Sequence, residues 1–419
     1  CDEFRVRAIT SFISLTPEDF TSGSTLSSKI SIHATFLKFA EKELQSKGYE
    51  VQTLRIATNP FGEYLAPFCE KDNLQKQLKE LDEVLAKYSI EFFALGPARN
   101  EIELDCCPVI VRQSHRLSCS AELRAGNDVL MAKKAAKCMR IISEMGEIED
   151  APPHLVNGLG NFRFCATACC KPYTPFFPAA RSTLLIDSDA DDSISFAIGL
   201  ENGKLARRLL RESKSLENIA TIFRSGMAEA LNPLSSLCES ICRSYEGEIK
   251  NSTEQVSNIH FAGIDTSLNP SLDENGSVAD AIEEIDVVEK FGSRGSVATA
   301  AEITKSLKSL PGIRNVGYSG LMLPVCEDRR LAELANEDGI DTTRLLGISS
   351  VCGVGLDTIP IPGDSTVDQI MSLILDVSSL AYRYEKSLSC RLLLCPGLNV
   401  GDTTNLNSPY MCECKIFRL

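Results

Sequence analysis

Residues 5–13 read Arg-Val-Arg-Ala-Ile-Thr-Ser-Phe-Ile, a β-rich run. Residues 28–47 follow with Ile30, Leu37 and Leu44 on one helical face and Ala34 and Ala40 beside them. Gly48 then stops the pattern, and Glu50–Ala57 returns to strand. Apolar spacing that switches from a strand period to a helical period and back is the signature of a β-α-β unit. Gly at the end of the helical stretch suits the left-handed residue with which many helices close.

The alternation continues. Asn73–Tyr88 carries Leu74, Leu78, Leu81 and Leu85 at helical steps. Glu91–Leu95 reads as a strand, Pro108–Arg112 as another, and Ala125–Met145 as a helix. Phe162–Ala168 and Ser193–Leu200 read as strands separated by a Pro- and Phe-rich loop. In the second half Leu205–Arg243 is helical, with a break expected before Pro233. Phe261–Ser267 is a strand, Ser296–Leu310 a helix, Val316–Val325 a strand, Ser365–Tyr384 a helix and Ser389–Leu394 a strand. The expected fold is therefore α/β, a barrel-like β/α alternation with the helices outside and a largely parallel sheet. Linkers are weak, so 1–419 is expected to form one large domain of two intertwined halves, about 1–200 and 201–419.

Composition narrows the function classes. The 419 residues are 43% hydrophobic and 24% charged, ordinary for a globular protein. No apolar run approaches the roughly 20 residues that cross a bilayer. The net charge of −14 makes nucleic acid and anionic membranes poor partners. Arg207, Arg208 and Arg211 share one helical face and read as a solvated surface. Seventeen cysteines, an odd number without framework spacing, argue for reduced thiols and a cytoplasmic setting. Cys1-Asp2-Glu3 opens no apolar signal-peptide region. Four histidines, His33, His115, His154 and His260, leave little for a multi-histidine metal site. The groups at Cys165, Cys169 and Cys170, at Cys238 and Cys242, and at Cys412 and Cys414 lack the usual two-residue zinc spacing.

The loop at 345–364 stands out. Cys352 is followed by Gly353-Val354-Gly355, and Asp357 and Asp364 bracket Ile359-Pro-Ile-Pro-Gly363. Glycines let main chain or ligand approach closely.

Several stretches together resemble the bacterial and archaeal family known as domain of unknown function 711. They are Arg7-Ala-Ile-Thr10, Leu54–Phe61, Asn161-Phe-Arg163, Thr174–Ala179, Gly199-Leu-Glu201, Gly263-Ile-Asp265, Gly320–Val325 with Glu327-Asp328, and Cys352–Asp364. The resemblance covers nearly the whole chain. The chain departs from it in its many cysteines and in a polar stretch near 245–258. The resemblance implies an α/β barrel related to that of pyruvate formate-lyase and the anaerobic ribonucleotide reductases, with Cys352 on the inner loop. It does not extend to a glycyl radical. Arg314-Asn-Val-Gly-Tyr318 has an extra Asn against the radical-glycine pattern, and Asn407–Cys414 contains no glycine.

Each candidate carries two readings. Cys352 is a nucleophile if a base or positive charge lowers its pKa, or a small residue packed in a tight loop. Asp364 is a ligand contact or the N-cap of the next helix; Asp357 has no evident capping role and is the better acid–base residue. Arg163 and Glu201 sit in apolar strands, where charge must be paired. Arg163 either clamps an anion or pairs internally, and Arg55, between Leu54 and Ile56, invites the same two readings. Asp265 ends a strand, and Glu327 and Asp328 open a helix. Asp265, Glu327 and Asp328, with Asp357, form a weak alternative set for a hard cation; otherwise no metal is expected, and no cofactor is indicated.

The expected function is an enzyme acting on a small polar, anionic metabolite by thiol or carboxylate acid–base chemistry, with homo-oligomerisation open. Its catalytic residues would be Cys352 and Asp357, and its binding residues Arg163, Glu201, Asp265, Gly353, Gly355 and Asp364. The alternative is a non-catalytic metabolite-binding or regulatory protein. Both require these residues to converge at one mouth, formed by the C-terminal ends of parallel strands.

Overall fold

A computed structural model describes residues 3–21, 23–69, 71–182, 193–249 and 258–419; positions 250–257 of the polar stretch lie outside them. The strands are β1 (Arg5–Ile13), β2 (Leu54–Thr58), β3 (Phe92–Ala98), β4 (Leu117–Leu123), β5 (Phe164–Ala168), β6 (Ser193–Glu201), β7 (Asn258–Asp265), β8 (Gly355–Pro362) and β9 (Leu388–Cys395). They form a nine-stranded sheet in the order β7-β6-β1-β2-β3-β4-β5-β9-β8. The first five strands run parallel in chain order. Strands β6 and β9 join antiparallel to β1 and β5, and each brings a parallel partner, β7 and β8. The sheet is thus mixed, with two reversals of direction. The segment 315–324 makes single parallel bridges to Ile264 and Leu268 on the β7 side and to Asp357 of β8.

Side chains alternate across a pleated strand, and this sequence uses the alternation to separate two faces. Ile9, Ile56, Phe93, Phe164, Ile198, Leu356 and Leu392 enter the large core under the helices. Helices Gly23–Ser46, Val129–Glu144, Arg224–Ile249 and Val367–Arg383 pack against that side. The other face is lined by small residues, with Phe12, Ala57, Ala94, Ala197 and Ala262 meeting Phe177 and Ala180 of the Pro- and Phe-rich loop.

Several elements differ from expectation. Residues 108–112 lie inside the helix Glu101–Gln113, not in a strand. A short apolar run is ambiguous between strand and buried helix, and here the Asn100 side chain accepts from the Glu103 amide and starts a helix through it. The helix Arg224–Ile249 runs straight through Pro233; the interruption comes earlier, in a wide turn at Ile219–Phe223. Val316–Val325 makes only isolated bridges. Asp364 is not the cap of the helix Val367–Arg383. Thr366 takes that role, with Gln369 completing a capping box. The arginines on Gly203–Ser213, read as a solvated surface, are ion-paired: Arg207 and Arg211 bind Glu284, and Arg208 binds Glu3.

Candidate functional site

Arg55, Arg163, Glu201, Asp357 and Arg391 lie in or just beside strands and each adjoins a residue of the helix-side core, respectively Ile56, Phe164, Leu200, Leu356 and Leu392. Alternation turns these charges to the opposite face, where they line a cavity of about 830 Å³. Arg5, Arg7 and Glu327 join them, with His154, Phe92, Phe162 and Phe177, and residues 407–411 form a further wall. The cavity meets the start of β1, β2 and β3 and the end of β6. The expected mouth at the C-terminal ends of the parallel strands is therefore not where these charges gather. The reversals at β6 and β9 bring strand ends of both directions to one place.

Inside, most charges form one alternating chain. Arg5 and Glu201 are register partners across β1 and β6, and Arg5 donates to Glu201 through Nε at 2.5 Å. Arg7 Nη2 donates to Glu327 Oε2 at 2.7 Å. Arg391 Nη2 donates to the other oxygen of Glu327 at 3.0 Å, and its Nε donates to Asp357 Oδ1. Arg391 also lies over the Phe162 ring, 4.5 Å from the centroid. Charges this deep persist only when each has partners.

Two guanidinium groups stand outside the chain. Arg55 makes no ion pair among the described residues. Its Nε donates to Thr53 Oγ1 at 2.9 Å, and its face lies over Phe92 at 4.9 Å and Phe177 at 6.0 Å. Burial, then Arg7 nearby, pushes its pKa down to about 9, with Glu327 opposing and Arg391 adding to the shift, which still leaves it charged at neutral pH. Arg163 likewise has no carboxylate partner; its Nε donates to the His115 carbonyl at 2.8 Å, and burial pushes its pKa down to about 10. His154, lowered to about 4 mainly by burial and then by Arg163, is neutral at pH 7.

Asp357 occupies a β-bulge. Leu356 pairs with Cys390 and Ile359 with Leu392, so two residues of β8 oppose Arg391 alone. The second, Thr358, has φ +43 and a buried hydroxyl with no partner among the described residues. Bulges and strained residues of this kind re-aim side chains next to functional sites. Asp357 Oδ2 accepts no hydrogen bond among the described residues. Burial, opposed by Arg391 and aided by Glu327, raises its pKa. The arrangement offers an anion anchor and a carboxylate able to take or give a proton.

The other sequence candidates lie elsewhere. Cys352 is 1% exposed, sits in the helix-side core and does not line the cavity; burial raises its pKa despite Lys386 and Lys308. The glycines beside it serve packing. A Cβ on Gly355, at φ +96, would lie 2.1 Å from the Ser389 carbonyl oxygen, and one on Gly320 would lie 2.7 Å from the Gly353 nitrogen. Asp265 accepts from the amides of Ser267, Tyr318 and Ser319 and from the Ser267 hydroxyl, which pins the turn after β7. Asp328 caps two helices, accepting from Ser277 Oγ and the amides of Val278, Ala279, Arg330 and Leu331. The weak cation set Asp265, Glu327 and Asp328 does not come together, and no group of three or more such ligands is found among the described residues. Sequence reading passed over Arg5, Arg7, Phe92 and Arg391, although Arg391 carries the same signal as Arg55, a charge between apolar neighbours.

A family model described as "Uncharacterised ACR (DUF711)" matches residues 1–407. The chain belongs to the DUF711 family. A UPF0210 protein of Pyrobaculum aerophilum is 25% identical over 97% of this chain and 89% of its own length. One from Oenococcus oeni is 24% identical over 96% and 88%. A third, from Limosilactobacillus reuteri, reaches 33% over 38% of this chain and 37% of its own. The DUF711 match takes in every arginine and carboxylate of the cavity and ends before Ser408–Met411 of its wall.

Proposed function

We propose that this DUF711 protein is an enzyme that binds a small polar, anionic metabolite in the arginine-rich cavity and transfers a proton through Asp357, without a glycyl radical. The observation that carries the reading is Arg55, a charged guanidinium that faces the cavity and makes no ion pair among the described residues. A fixed cation in that position is a binding site for an anion. Carboxylate chemistry is favoured over thiol chemistry, because Asp357 lines the cavity with one oxygen free and Cys352 does not line it. The bridges from 315–324 to both outer strands support a closed, barrel-like arrangement of the pyruvate formate-lyase kind around this site. No described helix is long and apolar enough to cross a membrane.

The alternative, a non-catalytic metabolite-binding or regulatory protein, is favoured by one observation: every carboxylate of the inner chain already holds an arginine. A thermal-shift screen of anionic metabolites finds the ligand, because binding to the native state raises its stability by mass action. NMR of the ligand after incubation then separates the readings. Chemical change that Asp357→Asn abolishes supports the enzyme. Ligand recovered unchanged supports the binding protein. Ligands that stabilise Arg55→Gln as well as wild type would remove the site from both.

A further inference from the structure

We infer that the ligand of this cavity is a monocarboxylate with a planar apolar arm, and not a phosphate ester. The inference rests on the reading of the cavity as an anion site and narrows it.

The first support is the geometry left open at Arg55. Thr53 occupies its Nε, and Phe92 lies on the guanidinium face, with Phe177 farther out. The Nη edge is what remains for a ligand. An edge of two parallel N–H donors in one plane matches the two oxygens of a carboxylate. A phosphate can take the same fork through two of its oxygens, so the choice between the two rests on charge.

The second support is charge. Five arginines line the cavity against five carboxylates, and Arg5, Arg7 and Arg391 are already matched by Glu201, Glu327 and Asp357. No lysine is among the lining residues. The formal charges of the lining cancel, so a second negative charge on the ligand would meet no net positive charge and would face three inner carboxylates; Arg163 is the other lining arginine without a carboxylate partner among the described residues. A single negative charge balances Arg55 alone.

The third support is the apolar lining. Phe92, Phe162, Phe176, Phe177, Leu159 and Met411 all contribute. Aromatic rings set around one polar anchor suit a flat apolar arm.

The test uses calorimetry and thermal shift on the full chain with 3-phenylpropanoate, phenyl phosphate and inorganic phosphate. Wild type should bind the carboxylate at least about tenfold more tightly than either phosphate, and Arg55→Gln should lose that affinity by about tenfold or more. Arg55→Lys keeps the charge and removes the planar fork, so it should lose the preference for carboxylate even where the Gln variant folds poorly. Phenyl phosphate binding as tightly as the carboxylate, and depending on Arg55, would overturn the ligand class and leave the anion site standing. Binding of neither anion, or binding indifferent to Arg55, would overturn the anion site and this inference with it.

Discussion

The Arg55 guanidinium lies 4.9 Å from the ring centroid of Phe92, its register partner on the adjoining strand. The pair explains how a charge survives inside the cavity without an ion-pair partner among the described residues. The ring offers a face that attracts the cation, and the remaining donors are left for a ligand. Replacing Phe92 by Leu keeps the volume apolar and removes the π face. Anion affinity should fall by a few-fold while the fold persists, read by calorimetry beside circular dichroism.

Asp357→Asn should bind ligand and fail to turn it over. The amide keeps the size of the side chain and an oxygen for Arg391 but cannot act as a base. Stability should fall, because Arg391, 4% exposed, loses one of its two counter-charges. Single-turnover assays against ligand titrations check the split between binding and turnover.

Asp328→Ala should be among the most damaging changes outside the cavity. It removes the acceptor for four amides and the Ser277 hydroxyl at the starts of two helices. Loss of a cap costs about 1 kcal/mol and buried unpaired donors cost more, so a loss of roughly 3 kcal/mol is expected in denaturant titration.

Stability should fall as pH drops from about 6.5 to about 4, with His33 a main cause. Burial, then Lys29 nearby, lowers the His33 pKa from 6.5 to about 4. Between those values the unfolded chain binds a proton that the folded chain refuses, so the folded state loses ground as pH falls and the loss levels off below about 4. The shift corresponds to roughly 3 kcal/mol for a fully buried ring. His154 shifts in the same direction, so His33→Gln should reduce the slope without abolishing it. An unchanged slope would remove His33 from the account.

Cys352 should be among the slowest thiols to react with a small alkylating agent at neutral pH, after the half-buried Cys69, Cys169 and Cys412. Cys352→Ala should keep ligand affinity. Gly355→Ala, by contrast, should destabilise the protein strongly, since the added Cβ meets the Ser389 carbonyl at 2.1 Å from a positive φ. Mass-spectrometric labelling and thermal melts check these outcomes.

Much of the order of strands and helices was readable because long amphipathic helices such as Gly23–Ser46 keep a clean period and end at glycine, but β4 was not read and β8, with its two prolines, was read as a loop. The strand readings failed where the run was short, as at 108–112, or where tertiary bridges replace a ladder, as at 316–325. At the site, a charge between apolar neighbours pointed to Arg55 and Arg163, and a charge at the end of an apolar strand to Glu201, because alternation must place such a residue on one face. The glycine-rich Cys352 loop drew attention for a sound reason with a different outcome. Close approach does occur there, and what approaches is the main chain of Ser389 and of 318–320. Residues 407–411 carry no periodicity, so their place in the cavity wall came only from the fold.

The central claim is that Arg55 anchors a carboxylate in this cavity. A crystal structure with 3-(4-bromophenyl)propanoate tests it directly, since bromine anomalous signal locates the arm independently of the protein. The account predicts bromine among Phe92, Phe162 and Phe177, with both carboxylate oxygens about 2.7–3.2 Å from the Arg55 Nη atoms. Ligand bound at saturating concentration outside the cavity, or inside it with its carboxylate turned away from Arg55, would contradict the account.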